Sequence, residues 1–210
     1  MEITQAMRQH PVIVIYRGQT TQQCVALTAE LVALGYRAFE VTLNSAEPYD
    51  AIAALCAEFG EVAAIGAGTV LSAEQVDRAA EAGAGFVISP DTNAAVIGRT
   101  KQRGLVSIPG AFTPTEIVRA TSAGADLVKV FPIRPVGADY IRQLRGPLPD
   151  VGYVATGGVG PELATECFAA GCVGVGVGIQ LFGEDALAGD TAALREAAGR
   201  FSRAAGVDAA

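Results

Sequence analysis

Eight short runs of β-branched and small apolar residues recur along this chain, at residues 12–16, 38–43, 63–70, 86–89, 106–108, 127–131, 153–156 and 174–178. None alternates cleanly between apolar and polar side chains. That is the pattern of a parallel strand buried on both faces, not of a strand with one wet side. Helical patterns lie between or after them, at 22–34, 49–59, 73–82, 114–123, 161–170 and 191–205. Several of these stop at a glycine that leads into the next run (Gly35, Gly83, Gly124, Gly171), where a left-handed residue can end the helix. Ser72 and the Thr113-Pro114 pair mark helix starts. Eight such units, joined by short loops with no linker, predict a single α/β domain over 1–210, a (β/α)8 TIM barrel. An open doubly wound sheet is the competing architecture. It needs a glycine fingerprint after the first strand, and Tyr16-Arg17-Gly18-Gln19-Thr20 is not one.

Half of the 210 residues are hydrophobic and 18% are charged, which supports a large core and excludes a disordered chain. A net charge of −7 argues against nucleic acid or an anionic membrane as partner. No apolar run approaches the roughly 18–20 residues that span a bilayer, and residues 1–11 do not read as a signal peptide, so a cytoplasmic protein is expected. Cys24, Cys56, Cys167 and Cys172 form no CxxC pair, and His10 is the only histidine. A metal cage is therefore hard to assemble, and Ser-His-Asp or Cys-His catalysis would need His10 itself to fold into a site. Chemistry here falls to Lys, Arg, Glu, Asp, Thr, Tyr or the backbone.

In a barrel, the residues that close the strands at their C-terminal ends form the active site. Of the two lysines, Lys101 lies in a polar helix end, whereas Lys129 sits in Leu127-Val128-Lys129-Val130-Phe131. Pointed into the lumen, Lys129 is desolvated, its pKa falls, and the free amine can attack a carbonyl. Pointed outward, or paired with a glutamate, it is structural. Glu40, in the apolar stretch Phe39-Glu40-Val41-Thr42, is either a proton carrier or the counter-charge of a buried cation. Arg17 ends the first run with a fork suited to a carboxylate, or is a surface arginine. Thr69 follows the glycine-rich Gly66-Ala67-Gly68. Thr156-Gly157-Gly158 and the glycines up to Gly178 end runs seven and eight, where barrels often bind phosphate on backbone N–H groups.

Taken together, FEVTLNS (39–45), GAGTVL (66–71), IPGAFTPTE (108–116), KVFP (129–132) and TGG (156–158) resemble the 2-keto-3-deoxy-6-phosphogluconate (KDPG) aldolase family over roughly residues 8–205. Tyr16-Arg17-Gly18, Leu43-Asn44-Ser45 and residues 137–141 look like its 6-phosphogalactonate (KDPGal) branch. The resemblance implies metal-free and cofactor-free class I aldol cleavage of 2-dehydro-3-deoxy-6-phosphogalactonate to pyruvate and glyceraldehyde 3-phosphate, in a homotrimer. By position, Lys129 would form the imine and Glu40 would carry protons. Arg17 and Thr69 would hold the carboxylate end, Phe131 and Pro109 would pack on the nucleophile, and Gly157, Gly158 and Gly178 would cradle phosphate. Two positions depart from the branch. Thr156 stands where valine is common, near the C4 hydroxyl that separates the two epimeric substrates. Ile179 stands where a serine usually follows the strand glycine. The alternatives are KDPG or 4-hydroxy-2-oxoglutarate cleavage, or a phosphosugar epimerase on the same barrel.

Overall fold

A computed structural model describes residues 1–207. Nine parallel strands make one sheet: β1 (Val12–Tyr16), β2 (Ala38–Thr42), β3 (Ala64–Gly68), β4 (Phe86–Ile88), β5 (Val106–Ile108), β6 (Gly110–Ala111), β7 (Val128–Val130), β8 (Tyr153–Thr156) and β9 (Gly174–Gly178). Their spatial order is β5-β4-β3-β2-β1-β9-β8-β7-β6, so the two ends of the sheet are β5 and β6, which are consecutive in sequence. They are halves of one barrel strand broken at Pro109, which has no N–H for the ladder. Below the break the strand pairs with β4, and above it with β7. The Pro109 carbonyl accepts from the Lys129 N–H at 2.9 Å, and the eight-stranded barrel closes there.

The helices α2 (Thr21–Ala33), α3 (Pro48–Phe59), α4 (Ala73–Glu81), α5 (Ala94–Gln102), α6 (Pro114–Ser122), α7 (Asp139–Arg145), α8 (Pro161–Ala169), the one-turn α9 (Glu184–Leu187) and α10 (Thr191–Ala204) form the outer layer. Thr20 and Thr113 each close a capping box, with Gln23 and Glu116, and Ser72 accepts from the Gln75 N–H. Gly35, Gly83, Gly124 and Gly171, the predicted stops, have φ between 93° and 99°.

Each strand divides its side chains between two cores. Val12, Val14, Tyr16, Phe39, Val41, Ile65, Val128, Val130, Val175 and Val177 face the helices. Ile13, Ala38, Ala64, Phe86, Ile88, Ile108 and Val154 fill the lumen. The N-terminal stretch, for which the sequence pattern assigns no element, forms α1 (Ile3–Gln9), whose Ile3, Ala6 and Met7 plug the lumen from below. Seven residues are too few to hold a helix in water, so this one depends on its docking. His10, just beyond it, is buried at 1% exposure, with Nε2 3.0 Å from Ser202 Oγ on α10 and its ring 4.0 Å from that of Tyr36. It is a structural clamp, not a site residue. Among the described residues no helix is long and apolar enough to cross a membrane.

Candidate active site

The inward register continues up the strands and turns polar at their C-terminal ends. On β1 it runs Ile13, Ile15 and then Arg17, and on β2 it runs Ala38, Glu40 and Thr42, with Ile15 beside Glu40 across the ladder. On β7, Val128 and Val130 face the helices, so Lys129 between them faces the lumen. These polar ends and the glycine loops of β8 and β9 enclose a cavity of about 410 Å³. Arg17, Thr69, Lys129, Phe131, Thr156, Gly157, Gly158 and Gly178 all line it.

Lys129 is 6% exposed and Glu40 1%. Burial pushes the Glu40 carboxyl above its ordinary pKa of 4.5, against the opposing pull of Lys129 and Arg17. Burial likewise lowers the Lys129 ammonium from 10.5; Glu40 opposes that shift and Arg17 adds to it. Each group is thus poorer in charge than a solvated one, with Lys129 moved toward a free amine and Glu40 toward a carboxylic acid. They do not form an ion pair within 4.0 Å, and neither Glu40 oxygen has a hydrogen-bond partner among the described residues. A buried carboxylate left this way is costly unless something outside the chain completes it. Phe131 lies beside the amine, its ring centroid 5.0 Å from Nζ.

Space for the carboxylate comes from Gly68 on the neighbouring strand. A Cβ at Gly68 would stand 1.7 Å from Glu40 Oε1. Gly66 makes the same allowance for the Phe86 ring and Gly176 for Thr156 Oγ1, so lumen glycines decide where the large and polar side chains sit. Arg17 is exposed at the mouth and held by Asn44 Oδ1 at 2.7 Å from Nη1 and by Thr69 Oγ1 at 3.4 Å from Nη2. Thr69 has φ 58°, a left-handed conformation unusual for a β-branched residue. That geometry places its hydroxyl beside the guanidinium.

Three predicted positions do not line the cavity, the first being Glu40, which is buried against Gly68. The Ile179 side chain is turned into the core at 0% exposure, and Gln180 and Leu181 on the following 3-10 turn (Ile179–Phe182) line the cavity instead. An isoleucine on the first residue of that turn buries itself, which brings the next, polar residue to the wall. Pro109 does not line the cavity; it shapes the barrel strand beside Lys129. Ile15 and Pro90 join the wall unannounced by any motif. The inward alternation from Ile13 to Arg17 was the one signal for Ile15. Among the described residues no three His, Cys, Asp or Glu side chains gather as a metal cage.

This geometry has close counterparts. The 2-dehydro-3-deoxy-6-phosphogalactonate aldolase of Escherichia coli K12 is 39% identical over 173 residues, covering 82% of this chain and 84% of that protein. A solved native KDPGal structure superposes with a TM-score of 0.86 at 35% identity, covering 92% of this chain and 93% of that one. A KDPG aldolase from Legionella pneumophila, with pyruvate captured as a covalent carbinolamine, superposes at 0.83 with 25% identity over 99% of this chain and 98% of that one. The family model for KDPG and KHG aldolase matches residues 3–196. This chain belongs to the KDPG and KHG aldolase family.

Proposed function

We propose that the protein is a class I aldolase cleaving 2-dehydro-3-deoxy-6-phosphogalactonate to pyruvate and glyceraldehyde 3-phosphate, with Lys129 as the imine-forming amine and Glu40 as the proton carrier. The observation that carries this reading is a desolvated lysine facing the same lumen as a buried carboxyl with no partner of its own. The free amine adds to the C2 carbonyl, the protonated Glu40 gives its proton to the departing hydroxyl, and water leaves, giving a protonated imine and a Glu40 carboxylate. Glu40, directly or through a water, removes the C4 hydroxyl proton as the C3–C4 bond breaks. The bond's electron pair flows into the imine and forms an enamine, and glyceraldehyde 3-phosphate departs. Glu40 then returns its proton to C3, and hydrolysis releases pyruvate and the amine.

Arg17 and Thr69 hold the carboxylate, and the Gly157, Gly158 and Gly178 loops receive the phosphate. The Escherichia coli relative's substrate supports the galactonate epimer, and the Legionella neighbour's covalent pyruvate supports the imine. Borohydride reduction in the presence of pyruvate is expected to add mass to Lys129 alone; an unmodified Lys129 overturns the mechanism. The Thr156 hydroxyl at the cavity wall favours a second reading, cleavage of the C4-epimeric gluconate acid. The larger kcat/KM of the two epimers decides between them.

The same reading makes the protein a cytoplasmic homotrimer. Phe112, Val118 and Val136 are 36–46% exposed, and the Phe112 ring lies tilted against Tyr140 at 5.5 Å; exposed apolar side chains of this kind suit contact with a second copy. Light scattering should find three 21.4 kDa chains, and a monomer overturns the assignment.

A further inference from the structure

The phosphoryl end of the cavity is walled by Gly157, Gly158, Gly178, Gln180 and Leu181, none of them a cation. The Gln180 carboxamide lies against Gly178, where a Cβ would be 2.4 Å from both its Nε2 and its Oε1. With Ile179 turned into the core, that position contributes no side-chain donor. A phosphate dianion resting on backbone N–H groups and one amide has no counter-charge in this wall.

Arg134 stands where one can be supplied. It lies in the loop after β7, and its N–H donates to the Gly157 carbonyl at 3.3 Å, tying that loop to the end of β8. Its side chain then folds across Gly158, where an added Cβ would meet Arg134 Cδ at 2.7 Å, Cβ at 3.3 Å and Cγ at 3.5 Å. The guanidinium begins one bond beyond that Cδ. The residue is exposed and, among the described residues, has no carboxylate within 4.0 Å. Gly158 itself has φ 71°, so a residue with a Cβ would be strained there as well as clash with the arginine stem.

We infer that Arg134 determines the preference for a phosphorylated substrate, its guanidinium reaching over Gly158 to the terminal phosphate while Gln180 donates from beside Gly178. The planar fork suits a phosphate, and the unpaired cation is available to it. The inference rests on the aldolase reading above and adds to it the residue that reads the phosphoryl end. Because that end is remote from the bond being cleaved, the contact should act on binding and appear mainly in KM.

The test compares kcat/KM for the phosphorylated keto-deoxy acid with that for its unphosphorylated counterpart, in the wild type, Arg134→Ala and Arg134→Lys. The preference for the phosphorylated acid should fall by roughly 10- to 100-fold in Arg134→Ala, the range of a hydrogen bond to a charged group, and recover in part in Arg134→Lys. An Arg134→Ala enzyme that keeps the wild-type preference overturns the inference, as does an equal loss on both acids. Exchange of the pyruvate methyl protons with deuterated solvent, followed on the unaltered enzyme, tests the underlying reading separately, because pyruvate carries no phosphate. Exchange together with an unchanged preference in Arg134→Ala rejects Arg134 alone; absence of exchange rejects the aldolase reading beneath it.

Discussion

Glu40 is held in a position that favours reactivity over stability. Its burial raises its pKa, so the native state binds its proton more tightly than the unfolded chain does. The stability this contributes is complete below the unfolded pKa and is lost as pH rises through the folded one. At neutral and higher pH the native state therefore carries a poorly solvated carboxylate. Glu40→Gln removes that burden together with the carboxyl proposed to carry protons. Its kcat/KM should drop by about 10²–10⁴-fold, while its Tm at pH 8 matches or exceeds that of the wild type. A lowered Tm would instead mark Glu40 as the counter-charge of Lys129. Gly68→Ala approaches the same defect from the neighbouring strand, since the new methyl would occupy the carboxylate's place. A comparable loss of kcat/KM, with Glu40 intact, would show that position as well as chemistry is required.

Among the elements, α10 is tied to the base of the barrel by His10, whose burial lowers its pKa from 6.5 to about 4. The sign is opposite to that of Glu40. A histidine depressed in the native state must be neutral to fold, so its contribution is present above the unfolded pKa and disappears as pH falls toward the folded one. Between pH 7 and pH 4.5 the wild type should lose about 2–3 kcal/mol of unfolding free energy through this residue. Denaturant titrations at both pH values check it: His10→Gln should flatten that part of the dependence, and an equally steep fall in the variant removes His10 as the cause. Nothing in the sequence pattern separates this role from that of a surface histidine next to a proline, because its partners Tyr36 and Ser202 lie 26 and 192 positions away. The strands and most outer helices, by contrast, were legible from periodicity and caps, since those signals act within a few residues of each other.

As a whole, the barrel separates its two ends. The lumen is sealed below by Ile3, Ala6 and Met7 and opens above into the cavity. Ile3→Ala, at a site 1% exposed, should cost about 2–5 kcal/mol of stability as a core truncation yet leave kcat/KM near that of the wild type at 25 °C; an equal loss of activity would deny the separation. The sequence alone determined the eight-unit βα order, the helix boundaries set by caps and glycines, and the short set of strand-end residues on which chemistry could run. Those are consequences of local backbone preference and of hydrophobic period, and neither needs a distant partner. Only the tertiary structure decided that Lys129 faces the lumen and not the helices, and that Gly68 makes room for an unpartnered Glu40. It also decided that Ile179 gives way to Gln180 at the cavity wall, and that the N-terminal stretch is a plug. The reason is physical: closing the sheet between β5 and β6 at Pro109 sets which alternate residues point inward and which of them meet across the lumen, a relation between strands remote in sequence that no single strand contains.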